Sequence, residues 1–184
     1  MAIQINGDGT ITGINVGGLP NGIVDTDMIA NNAVTPAKST IVGGKVLQVV
    51  SSEQAASSEN TTQTFADIGL SVSITPSSTS SKILVTAIVN GVHKYNTNLN
   101  QLQLRLMRDS TALSEFATEA CHSDGHLNHM GIGTGGATSH LDSPNTTSQV
   151  TYKVQMRKRL GSSITTTAQY AGAKSYITVM EIAA

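Results

Sequence analysis

The stretch that decides the fold is Ile68–Gly91, which reads IGLSVSIT, then PSSTSS, then KILVTAIVNG. Its first run alternates aliphatic and small polar side chains, and a β-strand points such neighbours to opposite faces of a sheet. Pro76 and the serines after it favour a loop, because proline donates no hydrogen bond to a sheet. The second run, Lys82–Asn90, is more continuously apolar, which is typical of a strand covered on both faces. The stretch therefore predicts two strands in the core of a β-sandwich.

Further alternating runs lie on both sides of this stretch. They predict strands at Lys45–Ser51, Gln63–Ala66, Gln101–Arg108, Ala112–Thr118, Gln149–Arg157, Ile164–Tyr170 and Ser175–Ile182. Turn residues separate these runs at the spacing expected of a sandwich or jelly roll. Ala120–Pro144 is rich in Gly, Ser, His and Asp and is expected to be the least regular stretch. We therefore expect a mainly β protein in which residues 45–184 form a jelly-roll β-sandwich head.

Residues 1–44 are predicted to form a separate N-terminal anchor or linker segment, with Gly43-Gly44 as a hinge. Ala2–Ile14 carries a hairpin signal around Asn6-Gly7-Asp8-Gly9. Ile23–Thr40 favours short helical turns, which are too short to be stable alone. Their apolar residues must pack on a partner or around a three-fold axis. The candidates for this anchoring and trimerisation role are Ile23, Met28, Ile29 and Val34.

The composition favours assembly and disfavours several partners. Aromatic residues make up 3% of the chain, there is no Trp, and charged residues make up 12%. Aromatic side chains usually supply much of a core's buried area, so oligomerisation is a natural source of extra burial. A net charge of −1 makes nucleic acid and acidic membranes poor partners. The sequence shows no secretory signal at its start and no apolar run long enough for membrane insertion.

Four segments together resemble a domain common in structural proteins of tailed bacteriophages, especially marine and cyanobacterial phages. They are GKVLQVV at 44–50, TFADIGLSVSITPSSTSSKILV at 64–85, LRLMRDSTAL at 104–113 and SYITVMEIA at 175–183. The N-terminal part resembles the IxDxxIxxNAVTxxK-like helical linkers of the same proteins, which wind three chains together. The matching residues are Asp25, Ile29, Asn32, Ala33, Val34, Thr35 and Lys38. At the level of fold, the β part is also similar to trimeric C1q/TNF-like jelly rolls.

The resemblance implies a homotrimeric virion protein, assembled in the host cytoplasm and attached through its N-terminus to capsid, portal or tail proteins. With one linker copy, a short fibre or appendage that displays the head to host-surface glycans is expected. The alternative is a capsid decoration protein that stabilises the head of the particle. Neutral loops suit glycan contacts through hydrogen bonds, and the candidate receptor contacts are Asn96, Asn98, Asn100, Asn128 and Asn145.

The sharpest chemical cluster is CHSDGHLNH at 121–129. Imidazole and thiolate groups suit zinc or another transition metal, which makes His122, His126 and His129 candidate metal ligands. The spacing matches no zinc template, so an exposed polar loop is the alternative interpretation.

Other motifs give little support for catalysis. Gly131–Gly136 satisfies GxGxxG, but no helix is predicted after it, so a flexible loop is expected rather than a dinucleotide site. Glu115 and Glu119 would stand about 13 Å apart on a strand, which is outside the range of a glycosidase pair. The basic run Arg157-Lys158-Arg159 would hold an anionic glycan or would simply be a solvated strand end. We predict no catalytic residues, no cofactor and no enzymatic activity.

Overall fold

The computed structural model describes residues 4–5, 11–12, 44–95, 100–123, 129–160 and 165–183. The chain divides into two compact units, Met1–Val42 and Gly43–Ala184, and each is described by itself. In the first unit, β1 (Gln4–Ile5) pairs antiparallel with β2 (Ile11–Thr12), which confirms the predicted hairpin. The predicted helical turns, with Ile23, Met28, Ile29 and Val34, lie outside the described residues.

The described part of the second unit consists almost entirely of β-strands. In chain order they are β3 (Val46–Gln54), β4 (Ser58–Asn60), β5 (Ala66–Ile74), β6 (Lys82–Tyr95), β7 (Asn100–Arg108), β8 (Thr111–Ser123), β9 (His129–Asp142), β10 (Val150–Leu160), β11 (Thr166–Ala168) and β12 (Ser175–Ile182). A short 3-10 turn, Tyr170–Gly172, joins the last two.

These strands form two antiparallel sheets. The smaller sheet has the order β5-β10-β7-β8. In the larger sheet, β12 lies between β3 and β6, and β9 pairs with the other edge of β6. The short strand β11 pairs with β6 at His93 and Lys94, and β4 pairs with β11. Most neighbours are distant in sequence, so the connections cross between the sheets as in a jelly roll. The predicted mainly β, jelly-roll-like sandwich is confirmed, whereas the trimeric state stays a prediction.

The core lies between the two sheets and is built from the inward half of each alternating strand. On β5 and β6, every second side chain points into the core, because side chains alternate between the two faces of a strand. The buried side chains include Ile68, Leu70, Val72, Ile74, Ile83, Val85, Ala87, Val89, Leu102, Leu104, Leu106, Tyr152, Val154, Met156, Ile177 and Val179.

The outer side of β6 differs from the prediction. A strand covered on both faces was expected, but Leu84, Thr86 and Ile88 point away from the core and are only half-buried. Within the described part of the chain, nothing covers this side of β6 as completely as the core covers the other. The apolar sequence of this strand is therefore only half explained by the single chain.

Two other predictions about local structure were wrong. Gln63–Phe65 lies outside any strand, and the short strand of that region is β4, which pairs with β11. In the stretch Ala120–Pro144, the described residues are mostly strand rather than irregular: β8 extends to Ser123, and His129–Asp142 forms β9. The physical reason is the partner strand, because β9 pairs with β6 from Ile83 opposite Asp142 to Tyr95 opposite His129.

Candidate functional site

The candidate metal ligands are only partly described. His126 lies outside the described residues, and the structure gives only the main chain of His122 in β8 and of His129 in β9. Cys121 is buried, and its Sγ lies 3.4 Å from the carbonyl oxygen of Val92. Among the side chains that are described, no group of three His, Cys, Asp or Glu residues has the geometry to hold a metal ion. The metal site therefore stays a prediction.

The candidate receptor contacts do not all lie at one end of the sandwich. Asn96, Asn98 and Asn128 are outside the described residues. Asn100 begins β7 opposite Ser123, at the end where β6 has just finished. Asn145 is exposed, with φ of 53°, and follows the end of β9 that pairs with the start of β6. Asn100 and Asn145 are therefore at opposite ends of the head.

The GxGxxG motif is part of a strand, which corrects the expected loop. Gly131–Gly136 lies within β9, so the helix that a dinucleotide site requires does not follow it. The last two glycines have a packing role instead. A Cβ on Gly135 would overlap the Val92 side chain, and one on Gly136 would lie 2.6 Å from the Cβ of Ala117. Glycine is present here because neighbouring side chains approach the backbone closely.

The outer face of the smaller sheet is charged, and its charged side chains have hydrogen-bonding partners within the face. Lys153 contacts Asp67 at 2.9 Å, and Arg159 contacts Glu119 at 2.8 Å. Gln103 donates a hydrogen bond to Glu115. The two glutamates considered for glycoside hydrolysis thus each have a hydrogen-bonding partner on the sheet.

The ring of Phe65 packs against two arginine side chains of the same face. Phe65 has the guanidinium carbon of Arg105 4.0 Å from its ring centroid and that of Arg157 at 4.5 Å. Such cation–π contacts hold both guanidinium groups against the ring. In the predicted basic run, Arg157 and Arg159 therefore have partners within this face, while the third member, Lys158, is buried and 6% exposed. The run is not a free cationic patch.

The outer face of the larger sheet has the opposite character. Val49, Met180, Leu84 and Leu141 lie directly opposite one another on four adjacent strands and form a continuous cross-strand row of aliphatic side chains. The two end members are the most exposed, with Val49 at 55% and Leu141 at 56%. Water-exposed aliphatic rows are unfavourable in a protein that works alone, so this row is the strongest candidate for an interaction surface.

A second row lies beside the aliphatic row. It consists of Ser51, Thr178, Thr86 and Ser139, again on the four adjacent strands. We call these two rows the outer face of the larger sheet. Next to them, the exposed ring of Tyr176 and the hydroxyl groups of Ser51 and Thr178 line a shallow depression.

Charged groups are confined to the margins of this face. Glu53, opposite Tyr176, forms an ion pair with Lys174 at 2.7 Å. The hydrogen bond that Lys174 donates to Glu53, together with the charge of that carboxylate, raises the pKa of Lys174. At the other margin, the Lys82 ammonium donates to Ser143 Oγ at 2.7 Å. The centre of the face is thus uncharged, and both marginal cations already have a partner.

A buried carboxylate fixes the edge of this sheet to the rest of the head. Glu181 on β12 is 0% exposed and accepts hydrogen bonds from Ser77 N at 2.8 Å, Ser77 Oγ at 2.6 Å and Gln48 Nε2 at 2.6 Å. Burial raises the pKa of Glu181, but the hydrogen bonds from Ser77, Ser81 and Gln48 outweigh it and lower that pKa to about 2. The carboxylate therefore joins β12, β3 and the β5–β6 loop.

A second buried group links the two sheets. Asp142 on β9 accepts two hydrogen bonds from Arg108 Nη1, at 2.9 and 2.7 Å, and one from Tyr152 Oη at 2.7 Å. Burial and the Asp142 carboxylate together raise the pKa of Tyr152, so the phenol stays a hydrogen-bond donor. Each of these buried carboxylates accepts three hydrogen bonds from local partners, which indicates a structural role.

Sequence reasoning missed the outer face because it assigned apolar residues to the core. The available signal was the incomplete alternation of β6, where Leu84 and Ile88 are apolar although their neighbours already fill the inward positions. The corresponding residues on neighbouring strands, Val49 and Met180, carry the same signal. Only the strand order brings these residues into one row.

Comparisons with known proteins give little beyond this geometry. No protein-family model matches the chain, and no curated protein matches it either. Among solved structures, the chain is similar to the VP2 subviral particle of infectious bursal disease virus, with 12% identity and a TM-score of 0.34. The match covers 73% of this chain and 39% of that one. A likeness this distant supports no functional argument. Among the described residues, no helix is long and apolar enough to cross a membrane.

Proposed function

We propose that this chain is a non-enzymatic structural protein of a bacteriophage virion. It acts as a short trimeric fibre or appendage that is anchored by its N-terminal segment and displays the β-sandwich as a head toward the host surface. Its ligand there is a glycan, bound by neutral hydrogen-bonding loops. The protein works through surfaces, so its chemistry is recognition and assembly.

The sequence supports this proposal through the segments that resemble phage fibre and appendage domains. Residues 44–50, 64–85, 104–113 and 175–183 carry that resemblance, and most of them fall in the strands β3, β5, β6, β7, β8 and β12. The resemblance therefore involves the framework of the sandwich. The N-terminal segment, with its linker-like motif, supplies the proposed attachment.

The observation that carries the proposal is the contrast between the two outer faces of the sandwich. The smaller sheet presents charged side chains, including the ion pairs Lys153–Asp67 and Arg159–Glu119, as expected of a surface that faces solvent. The larger sheet presents an aliphatic row with Val49 and Leu141 more than half exposed. A head with one solvated face and one apolar face is suited to assembly into a larger body.

Binding of the purified full chain tests the proposal. A fluorescent full chain is mixed with host cells and, separately, with empty capsids, and the bound fraction is measured. A host-binding appendage saturates the cells and competes with infection, whereas a decoration protein saturates capsids at a fixed stoichiometry. Binding to neither, by a well-folded protein, would contradict a virion role.

A further inference from the structure

We propose that the outer face of the larger sheet is a contact surface for a second copy of this chain. The inference rests on the proposed function and deepens it. It assigns part of the trimer contact to the head, in addition to the N-terminal segment, and names the row Val49, Met180, Leu84 and Leu141 as its centre.

The first argument is the missing cover of β6. The strand β6 has apolar residues on both of its sides, and on the inner side the core buries Ile83 and Val85 completely. Leu84 and Ile88, on the other side, remain half-buried in the single chain. Sheets with one solvated side normally show polar residues there. An apolar outer side is therefore expected to be covered in the working form of the protein.

The second argument is area. Six large hydrophobic side chains are exposed among the described residues, and five of them are on strands of the larger sheet: Val46, Leu47, Val49, Leu141 and Tyr176. From their exposed fractions, these five leave roughly 400 Å² of mostly apolar surface in total, with Tyr176 separated from Val49 and Leu141 by the row of hydroxyl side chains. A stable interface covers about 800 Å² on each partner, so this patch with its polar surroundings is of the right order.

The third argument concerns which partner fits. Hydroxyl groups both donate and accept hydrogen bonds, so where three outer faces meet around a three-fold axis, the row of Ser51, Thr178, Thr86 and Ser139 can bond to hydroxyl groups of the two neighbouring copies. Aliphatic side chains likewise pack against aliphatic side chains. The centre of the face is uncharged, and its marginal ions Glu53 and Lys174 are paired with each other. Another copy of this chain can therefore cover the face without burying an unpaired charge.

Variants of the full chain test this assignment. Leu141→Asp places a carboxylate at one end of the aliphatic row in the proposed contact, yet on the single chain that position is 56% exposed and tolerates a charge. The matched control is Ser71→Asp, at an exposed strand position on the outer face of the smaller sheet. Sedimentation velocity over a concentration series gives the dissociation constant of each. We expect Leu141→Asp to raise it at least about 100-fold and Ser71→Asp to leave it within about threefold.

A labelling experiment keeps the test decisive if Leu141→Asp fails to fold. Ser139→Cys and Ser71→Cys introduce nearly isosteric thiols at exposed positions of the two outer faces, and the native Cys121 is buried. In the assembled protein, we expect a maleimide to react with the cysteine at 139 at least about tenfold more slowly than with the one at 71. Equal rates would overturn the assignment.

The outcomes separate the two proposals. If the wild-type chain assembles but Leu141→Asp leaves its dissociation constant unchanged, this face is not the contact and the trimeric virion protein stands. If the wild-type chain sediments as a single copy at every concentration, the trimeric form of the proposed function fails, and this inference fails with it.

Discussion

Replacing Glu181 with glutamine removes a buried negative charge while keeping the size of the side chain. The change is informative because Glu181 joins three parts of the head: its own strand β12, β3 through Gln48, and the β5–β6 loop through Ser77. One carboxylate oxygen accepts both bonds from Ser77, and the other accepts the bond from Gln48. An amide at this position presents an NH₂ group to one of these donors, so at least one hydrogen bond is replaced by a repulsive contact.

The magnitude follows from the number of donors. Hydrogen bonds to charged groups contribute about 1.5–3 kcal/mol each, and a buried donor left without an acceptor costs about 1–3 kcal/mol. Glutamine keeps a carbonyl oxygen for one side of the site. We therefore expect Glu181→Gln to lower the free energy of unfolding at pH 7 by about 2–4 kcal/mol, which for a chain of this size lowers Tm by roughly 5–15 °C.

The same group makes stability depend on pH. The pKa of Glu181 in the folded protein is about 2, below the ordinary value of 4.5 that the unfolded chain has. A lowered pKa stabilises the folded state above the unfolded value, and this contribution is lost as pH falls from 4.5 through 2. The glutamine variant has no such contribution to lose. We expect the stability difference between wild type and variant to be largest at pH 7 and to shrink toward pH 2.

Urea unfolding at pH 7 and pH 2, at one fixed protein concentration, measures these differences. The control is Glu53→Gln on β3, whose exposed ion pair with Lys174 should contribute less than about 1 kcal/mol. If Glu181→Gln were no more destabilising than the control, or if its effect were the same at both pH values, the structural role assigned to this carboxylate would be refuted.

Two further substitutions test the framework of the head. Arg108→Met removes both hydrogen bonds from Arg108 Nη1 to the buried Asp142 carboxylate, and we expect a loss of about 2–4 kcal/mol in urea unfolding; a loss below about 1 kcal/mol would contradict a buried pair. Gly91→Ala places a Cβ 2.7 Å from the backbone nitrogen of Tyr170 at a φ of +60°, whereas Gly44→Ala has a similar φ of +70° but meets nothing within 4 Å. We expect a clearly larger fall in Tm at position 91, and equal falls would show that the 3-10 turn is not packed there.

Strands with strict alternation were predictable from the sequence. The strand β12 has the predicted limits, Ser175–Ile182, and β5 and β7 differ from prediction by at most two residues at either end. In these runs most inward residues are aliphatic, so a shift of one residue would turn them to the outer face. Local pattern and tertiary packing agree there, which is why the sequence was sufficient.

The strand β9 was missed because its residues have little intrinsic preference for a strand. Glycine is its commonest residue, at four of fourteen positions, and glycine is common in turns and loops. Its conformation depends on pairing with β6 over its whole length, a partner more than thirty residues earlier in the chain. The glycines that suggested a flexible loop are instead required by close packing, as at Gly135 beside Val92.

The interaction surface was not predictable for a related reason. Its four aliphatic residues come from β3, β6, β9 and β12, and no pair of them is adjacent in sequence. Each of them separately looks like an ordinary core residue. The strand order converts them into one exposed row, and that order depends on long-range crossovers that a local pattern does not encode. The buried polar residues Lys94, Lys158 and Glu181 were missed for the same reason.

Native mass spectrometry of the 184-residue chain tests the account most directly, because it reports how many copies assemble with one another. The account predicts a dominant species of three chains, each of 19.1 kDa, that dissociates when Leu141 is replaced by aspartate. A dominant single-chain species at every protein concentration, from material with the β-rich circular dichroism of a folded sandwich, would contradict it.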